Sequence, residues 1–327
     1  MSVFVIAEAG MNHDGSIGNA IRMAEVAAEC GADAVKFQLH DAPAETTRDA
    51  PSPPYFEHES RWEYFQRTAF GDEQWATLKE AAERAGIEFL CSVFSLRAVE
   101  RLERLGVGRY KIGSGEVTNV DLIRAVAATG KPVLLTSGMS SWAELDRAVE
   151  AAGDEVTVLQ CTSEYPTPPE RVGLNVLAEL RERYGKPVGL SDHTLGPYAC
   201  FAAVGLGASV VEKHFTLSRE LYGPDASLAL EPDELEELVE GVREIETMLA
   251  HPVDKDDLEP YGEMKRVFEK SVVTVADIPA GATIERGMLA AKKPGTGIPA
   301  AQLGDVVGRT ARADIAADTV LTEDLIA

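Results

Sequence analysis

"PVGLSDHTLGPYACFAAVGLGASVVEKHFT" occupies residues 187–216. Two short apolar runs, 187–193 and 209–215, flank a segment of helical spacing, and each run ends in a charged residue and a histidine. Apolar runs of this kind that do not alternate cleanly with polar residues read as strands covered on both faces, which is the condition of a parallel sheet. A strand, a helix and a second parallel strand make one repeat of an α/β fold.

The same rhythm runs upstream. Further candidate strands fall at 3–8, 34–38, 87–94, 109–114, 132–138 and 156–162, making eight in all. Helical segments lie between them; Ser16 and Asp72 are the expected opening residues of two, and each of these closes on glycine. Eight such units in about 250 residues have the size and order of a (β/α)8 TIM barrel. The alternative is an open doubly wound sheet, but "EAGMNHDG" (8–15) lacks the Gly-rich fingerprint expected after its first strand.

After Ala250 the rhythm stops. The expected organisation is a barrel domain over 1–250, a linker rich in Pro, Asp and Gly over 251–268, and a small, mostly β domain over 269–327. Within the last, "DIPAGATIERGML" (277–289) resembles "DIAADTVLTEDLI" (314–326), which predicts a pseudo-symmetric pair of strand-turn segments.

Composition excludes several functions. The formal charge of −23, from 54 acidic against 31 basic residues, would repel nucleic acid and anionic membrane surfaces. No apolar run approaches the length of a membrane helix, and the N-terminal run carries Glu8 without a basic start, so it reads as a strand and not a signal peptide. Cys30, Cys91, Cys161 and Cys200 form no C-x-x-C pair, which suits a reducing cytoplasm.

Reacting groups of a TIM barrel gather at the C-terminal ends of its strands. Those ends carry Glu8; Lys36 and Gln38; Ser92; Lys111, Ser114 and Glu116; Ser137; Thr162 and Ser163; Asp192 and His193; and Glu212, Lys213 and His214. Lysine is disfavoured in apolar strands unless it faces an anion, so Lys36, Lys111 and Lys213 at one mouth predict a phosphorylated or carboxylated ligand. Ser92, Ser114 and Ser137 are expected to add hydroxyl donors. His193 and His214 end neighbouring strands about 4.8 Å apart. They are expected to share one divalent metal ion, Mn2+ or Mg2+, which with only two protein nitrogens and no local Cys or second carboxylate would keep open, water-filled positions.

"IAEAGMNHDGS", "AVKFQ", "YKIGSGE", "LTSGM", "CTSEYPTP", "GLSDHT", "EKHFT", "YGPD" and "KKPGTGI" occur in this order from the first strand to the tail. Together they resemble the sialic acid (N-acetylneuraminate) synthase family, whose barrel carries a C-terminal antifreeze-like (SAF) domain. The resemblance implies condensation of phosphoenolpyruvate with the open-chain form of an N-acetylhexosamine, in the type case N-acetylmannosamine, and release of phosphate by C–O cleavage. It implies Glu116 as base for the attacking water, and Lys36, Gln38, Lys111, Ser114, Ser163 and Ser191 around phosphoenolpyruvate. Glu8, Tyr165, Asp225 and Lys293 would meet the sugar, and His193 and His214 the metal. Glu116 is expected to lie between lysines and the metal and so to stay ionised.

Two positions depart from the family pattern. Ser163 stands where Asn is frequent, and Lys293 where Arg is common. Lysine cannot make the forked contact of Arg, so the acyl-sugar preference is expected to differ, with legionaminic or pseudaminic-type acceptors as the alternative. The resemblance further implies a domain-swapped homodimer. Two other readings compete: a Schiff-base aldolase working through a strand lysine, and an ice-binding or carbohydrate-binding tail on a degenerate barrel. A sibling synthase of shorter keto acid phosphates would not be expected to carry this tail.

Overall fold

The computed structural model describes residues 2–52 and 59–327. The chain divides into two compact units, Met1–His251 and Pro252–Ala327. Among the described residues no helix is long and apolar enough to cross a membrane.

In the first unit eight parallel strands close into a barrel in sequence order. They are β1 (Phe4–Gly10), β2 (Ala34–Leu39), β3 (Glu88–Val93), β4 (Tyr110–Ile112), β5 (Val133–Thr136), β6 (Val156–Cys161), β7 (Val188–Asp192) and β8 (Val210–His214). β1 pairs with both β2 and β8, so no edge is left open. The (β/α)8 expectation holds.

Local signals account for the helices. Ser16 caps Ile17–Glu29 by accepting from the Asn19 N–H. The helix Asp72–Ala85 opens one residue earlier than expected: Gly71 is its cap, and Asp72 is its first helical residue, where a carboxylate meets the positive end of the helix dipole. That helix ends on Gly86 at φ 80°, a left-handed turn that glycine takes without strain.

Two layers of core follow from strand geometry. Outward strand residues such as Val5, Phe37, Phe89 and Leu135 pack under the helices in the main core. Inside the barrel, Ile6, Ala34, Leu90, Leu134, Leu159 and Val210 form a separate apolar plug. Side chains alternate along a strand, so the residues two positions on from each plug residue form the next layer towards the C-terminal mouth. That layer is polar.

The second unit holds an antiparallel pair, β9 (Ser271–Thr274) and β10 (Leu289–Lys292). The stretch preceding it carries a 3-10 turn at Glu259–Tyr261 and a short helix, Gly262–Phe268. The internal repeat has a physical counterpart. Ile278 and Ile315 exchange backbone hydrogen bonds at 2.8 Å each way. Asp277 accepts from the Ala317 N–H at 2.8 Å while Asp314 accepts from the Ala280 N–H at 2.7 Å. Equivalent apolar positions, Ile284 with Leu321 and Leu289 with Ile326, share the small core.

Candidate active site

The inward parity of each strand decides which polar residues meet. On β8, Glu212 and His214 line a cavity of about 540 Å³ at the C-terminal mouth, together with Glu8, Lys36, Gln38, Ser92, Lys111, Thr136, Cys161, Ser191 and His193 from the other strands and their ends. Lys213 has the opposite parity and faces outward.

The floor of the cavity is a buried charge cluster. Lys36 Nζ lies 2.7 Å from Glu8 Oε2, 2.9 Å from Ser92 Oγ and 3.7 Å from Glu212 Oε1. Lys111 Nζ lies 3.0 Å from that same Glu212 oxygen, to which Ser191 Oγ also donates at 3.0 Å. Burial pushes the Glu212 carboxyl up, but Lys111 and Lys36 outweigh it and hold it well below the usual carboxylate range. Burial pulls both lysines down; Glu212 and Glu8 reverse this for Lys36, whereas for Lys111 burial prevails. Glu212 Oε2 is buried without a hydrogen-bond partner, an acceptor left for a guest.

Above the cluster the rings of His193 and His214 stand 5.4 Å apart, centre to centre. His193 Nδ1 lies 2.8 Å from the Thr162 carbonyl and donates to it, which leaves Nε2 as a lone-pair donor. His214 Nδ1 is buried and unpartnered. Burial, reinforced by His193, pushes His214 far below the usual range and keeps it neutral. The expectation that no cysteine or carboxylate lies near these rings is corrected: Cys161 Sγ is 3.9 Å from His193 Nδ1, and Asp225 Oδ2 is 4.0 Å from His214 Nδ1. Cys161 ends β6 and Asp225 lies in the segment after β8, so neither adjoins its histidine along the chain. Burial and then Glu8 raise the Asp225 carboxyl to about 6. Tyr165 packs on His193 with centroids 4.1 Å apart.

His193 Nε2 and the unpartnered His214 Nδ1 fit an open, two-nitrogen divalent metal site. Among the described residues no group of three or more His, Cys, Asp or Glu side chains forms a closed cage.

Ser114 and Ser163 converge on the wall beyond β5. A Cβ on Gly138 would stand 2.5 Å from the hydroxyl of each, so only glycine lets both occupy this wall. Ser163 Oγ is buried and unpartnered. At the other end, Gly10 turns at φ 52° just after β1, with Gln38 Nε2 and Glu8 Oε1 each 3.4 Å from where its Cβ would be.

Three placements differ from expectation. Glu116 lines the cavity but does not lie between lysines, because Lys36 and Lys111 are drawn to Glu8 and Glu212. Its Oε2 accepts from Asn119 Nδ2 at 2.8 Å, and burial, with Glu45 nearby, raises its carboxyl above the ordinary range. Lys213 leaves the mouth: its Nζ lies 2.6 Å from Asp192 Oδ2 on the outward face. Ser137 likewise turns away and donates to Gln160 at 3.2 Å. Lys293 belongs to the second unit, with Nζ 4.8 Å over the Phe268 ring.

Sequence reasoning missed the bridging role of Glu212, and missed His40, Arg61 and Thr136 as lining residues. Parity offered a signal for two of them, since Glu212 shares a face with His214, and His40 with Lys36 and Gln38. Arg61 opens the helix Arg61–Thr68 and carried no local signal.

The chain matches the NeuB family over residues 23–254 and the SAF domain over residues 269–327. It is 34% identical to the N,N'-diacetyllegionaminic acid synthase of Campylobacter jejuni over 330 residues, covering 98% of each chain. It is 36% identical over 334 residues to human N-acetylneuraminate-9-phosphate synthase, covering 99% of this chain and 92% of that one. Among solved structures it resembles the N-acetylneuraminic acid (sialic acid) synthetase of Leptospira borgpetersenii in complex with citrate, with TM-score 0.73, 31% identity, and 81% of this chain and 92% of that one covered.

Proposed function

The chain belongs to the NeuB family, and on that premise we propose that it condenses phosphoenolpyruvate with the open-chain aldehyde of an N-acetylated hexosamine and water. The products are a nonulosonic acid and inorganic phosphate. We take N-acetylmannosamine as acceptor and N-acetylneuraminate as product. Lys293 and the similarity to a diacetyllegionaminic acid synthase support a di-N-acetylated trideoxyhexose as the second reading.

The observation that carries the proposal is the convergence of Lys36 and Lys111 on one buried carboxylate beneath the paired rings of His193 and His214. Lys36, Gln38, Lys111, Ser114, Ser163 and Ser191 would hold phosphoenolpyruvate, their cations offsetting its phosphate and carboxylate charge. Glu8, Tyr165, Asp225 and Lys293 would take the sugar. His193 and His214 would hold a divalent ion, Mn2+ or Mg2+, whose chemistry when bound is to polarise an aldehyde oxygen and to acidify water. In the reaction, C3 of phosphoenolpyruvate bonds to the aldehyde carbon and a water oxygen bonds to C2. Glu116 accepts one water proton, the aldehyde oxygen takes up a proton to become a hydroxyl, and the bond between C2 and the phosphate ester oxygen breaks as the new C2 hydroxyl loses its proton, leaving a C2 ketone and inorganic phosphate. A domain-swapped homodimer acting in the cytoplasm, in which the partner subunit's Lys293 meets the sugar, completes the proposal.

The test is phosphate release from phosphoenolpyruvate with Mn2+, using N-acetylmannosamine, its 6-phosphate and a 2,4-diacetamido-trideoxymannose, each with and without EDTA. Release with one acceptor that EDTA stops and Mn2+ restores is expected. Release that survives exhaustive metal removal would overturn the metal assignment, and none with any acceptor would overturn the reaction.

Glu116 supplies a pH prediction. A base must be ionised, so activity falls as pH drops through its pKa, and burial places that fall above the ordinary carboxylate range. Glu116→Gln is expected to erase this acid limb of the kcat/KM profile and to lower kcat about 100-fold. An acid limb that stays in place in the variant would exclude Glu116 as the base.

A further inference from the structure

We propose that His40 and Glu45 form a clamp that fixes the side-chain amide of Gln38, and through it Glu8 and Lys36; its catalytic consequence rests on the reaction proposed above. Lys36, Gln38 and His40 follow one another at intervals of two along β2 and its end, and all line the cavity.

A glutamine amide is nearly symmetric in shape and fits most sites either way round. Here the two orientations differ in consequence. With Nε2 towards Glu8, as observed at 2.8 Å, the amide donates to a carboxylate. Turned over, it would set oxygen against oxygen.

His40 selects between them. Its Nε2 lies 3.0 Å from Gln38 Oε1 and its Nδ1 lies 2.6 Å from Glu45 Oε1. Both ring nitrogens therefore face oxygen atoms, and while the Gln38 amide donates to Glu8 its Oε1 can only accept from His40 Nε2. A ring that donates at Nε2 accepts only the oxygen end of Gln38.

The ring itself cannot turn. Phe65 stacks on one face with centroids 3.7 Å apart and planes 7° apart, and Phe94 on the other at 4.2 Å and 12°. Glu45 is held in turn, its Oε2 accepting from the Asp41 backbone N–H at 3.2 Å. The chain of contacts runs from Glu45 through His40, Gln38 and Glu8 to Lys36, whose Nζ is 2.7 Å from Glu8. His40 and Glu45 are positioning residues in this scheme, acting through Gln38, and Glu45 also faces the Glu116 carboxyl.

A double-mutant cycle tests this. His40→Phe keeps the aromatic stack and removes both donors; it is expected to lower kcat/KM by about 10- to 100-fold, the usual effect of losing an orienting partner. In a Gln38→Ala background the same change is expected to cost less than about threefold, because its target is gone. Glu45→Gln, which retains volume, should act in the same direction.

A second readout does not depend on turnover. The Gln38 side-chain NH2 resonances, assigned by their loss in Gln38→Ala, should be well separated and slow to exchange with water in the native protein. In His40→Phe they should move towards exposed-glutamine values. Equal losses of kcat/KM in both backgrounds would mean that His40 does not work through Gln38, and unmoved NH2 resonances would overturn the clamp. An inactive native protein would refute the reaction and leave the NH2 measurement to decide the clamp.

Discussion

Lys111→Met is expected to lower kcat/KM for phosphate release about 1000-fold while the barrel stays folded. Lys111 is buried on β4, and its ammonium meets Glu212 at 3.0 Å at the cavity floor. Of the two lysines there, it meets Glu212 alone, whereas Lys36 meets both Glu8 and Glu212, so its charge is the less compensated by protein carboxylates. Methionine fills the same space without the charge. Stability should suffer less than activity, because Glu212 keeps Lys36 at 3.7 Å and the Ser191 hydroxyl at 3.0 Å. Steady-state kinetics with phosphoenolpyruvate as the varied substrate, beside a thermal melt, check the prediction. A loss below tenfold with an unchanged melt would remove Lys111 from the proposed anion site.

Lys213→Met should do the reverse. Lys213 and Asp192 form a fully buried pair at 2.6 Å, and Lys213 Nζ also donates to the Thr194 carbonyl. Breaking a buried pair from one side strands the other charge and costs about 3–5 kcal/mol. For a unit of this size that corresponds to a fall in Tm of about 10 °C. The folded fraction should keep its kcat/KM within about threefold, since Lys213 faces away from the cavity. Adding Asp192→Asn should restore part of the lost stability, because no buried charge is then left alone. A Tm within about 2 °C of the native value would deny the pair its structural role. A thousandfold loss of activity in the folded protein would return Lys213 to the chemistry.

These two lysines look alike in sequence, each within or at the end of a mostly apolar strand. "KIGSGE" and "EKHFT" do not say which way a chain faces until one residue of the strand is anchored. Once His214 is taken as inward, the period of two assigns Glu212 to the cavity and Lys213 to the outside. For Glu116 no such signal existed. Its separation from the lysines follows from Glu8 and Glu212 drawing those lysines to themselves across the barrel, contacts between residues as far apart as Lys111 and Glu212.

The amino-acid sequence by itself determined the repeating strand and helix order, and hence the barrel, because hydrophobic period and capping are local properties of the chain. It also determined the short repeat of the tail and the set of polar residues at the strand ends, since polar groups inside apolar strands stand out locally. Only the tertiary structure decided which of those groups meet. Charge pairing, burial and the fit of Ser114 and Ser163 against Gly138 depend on distances across the barrel, between segments tens of residues apart. Periodicity carries no record of such distances, and closure of the barrel is what sets them.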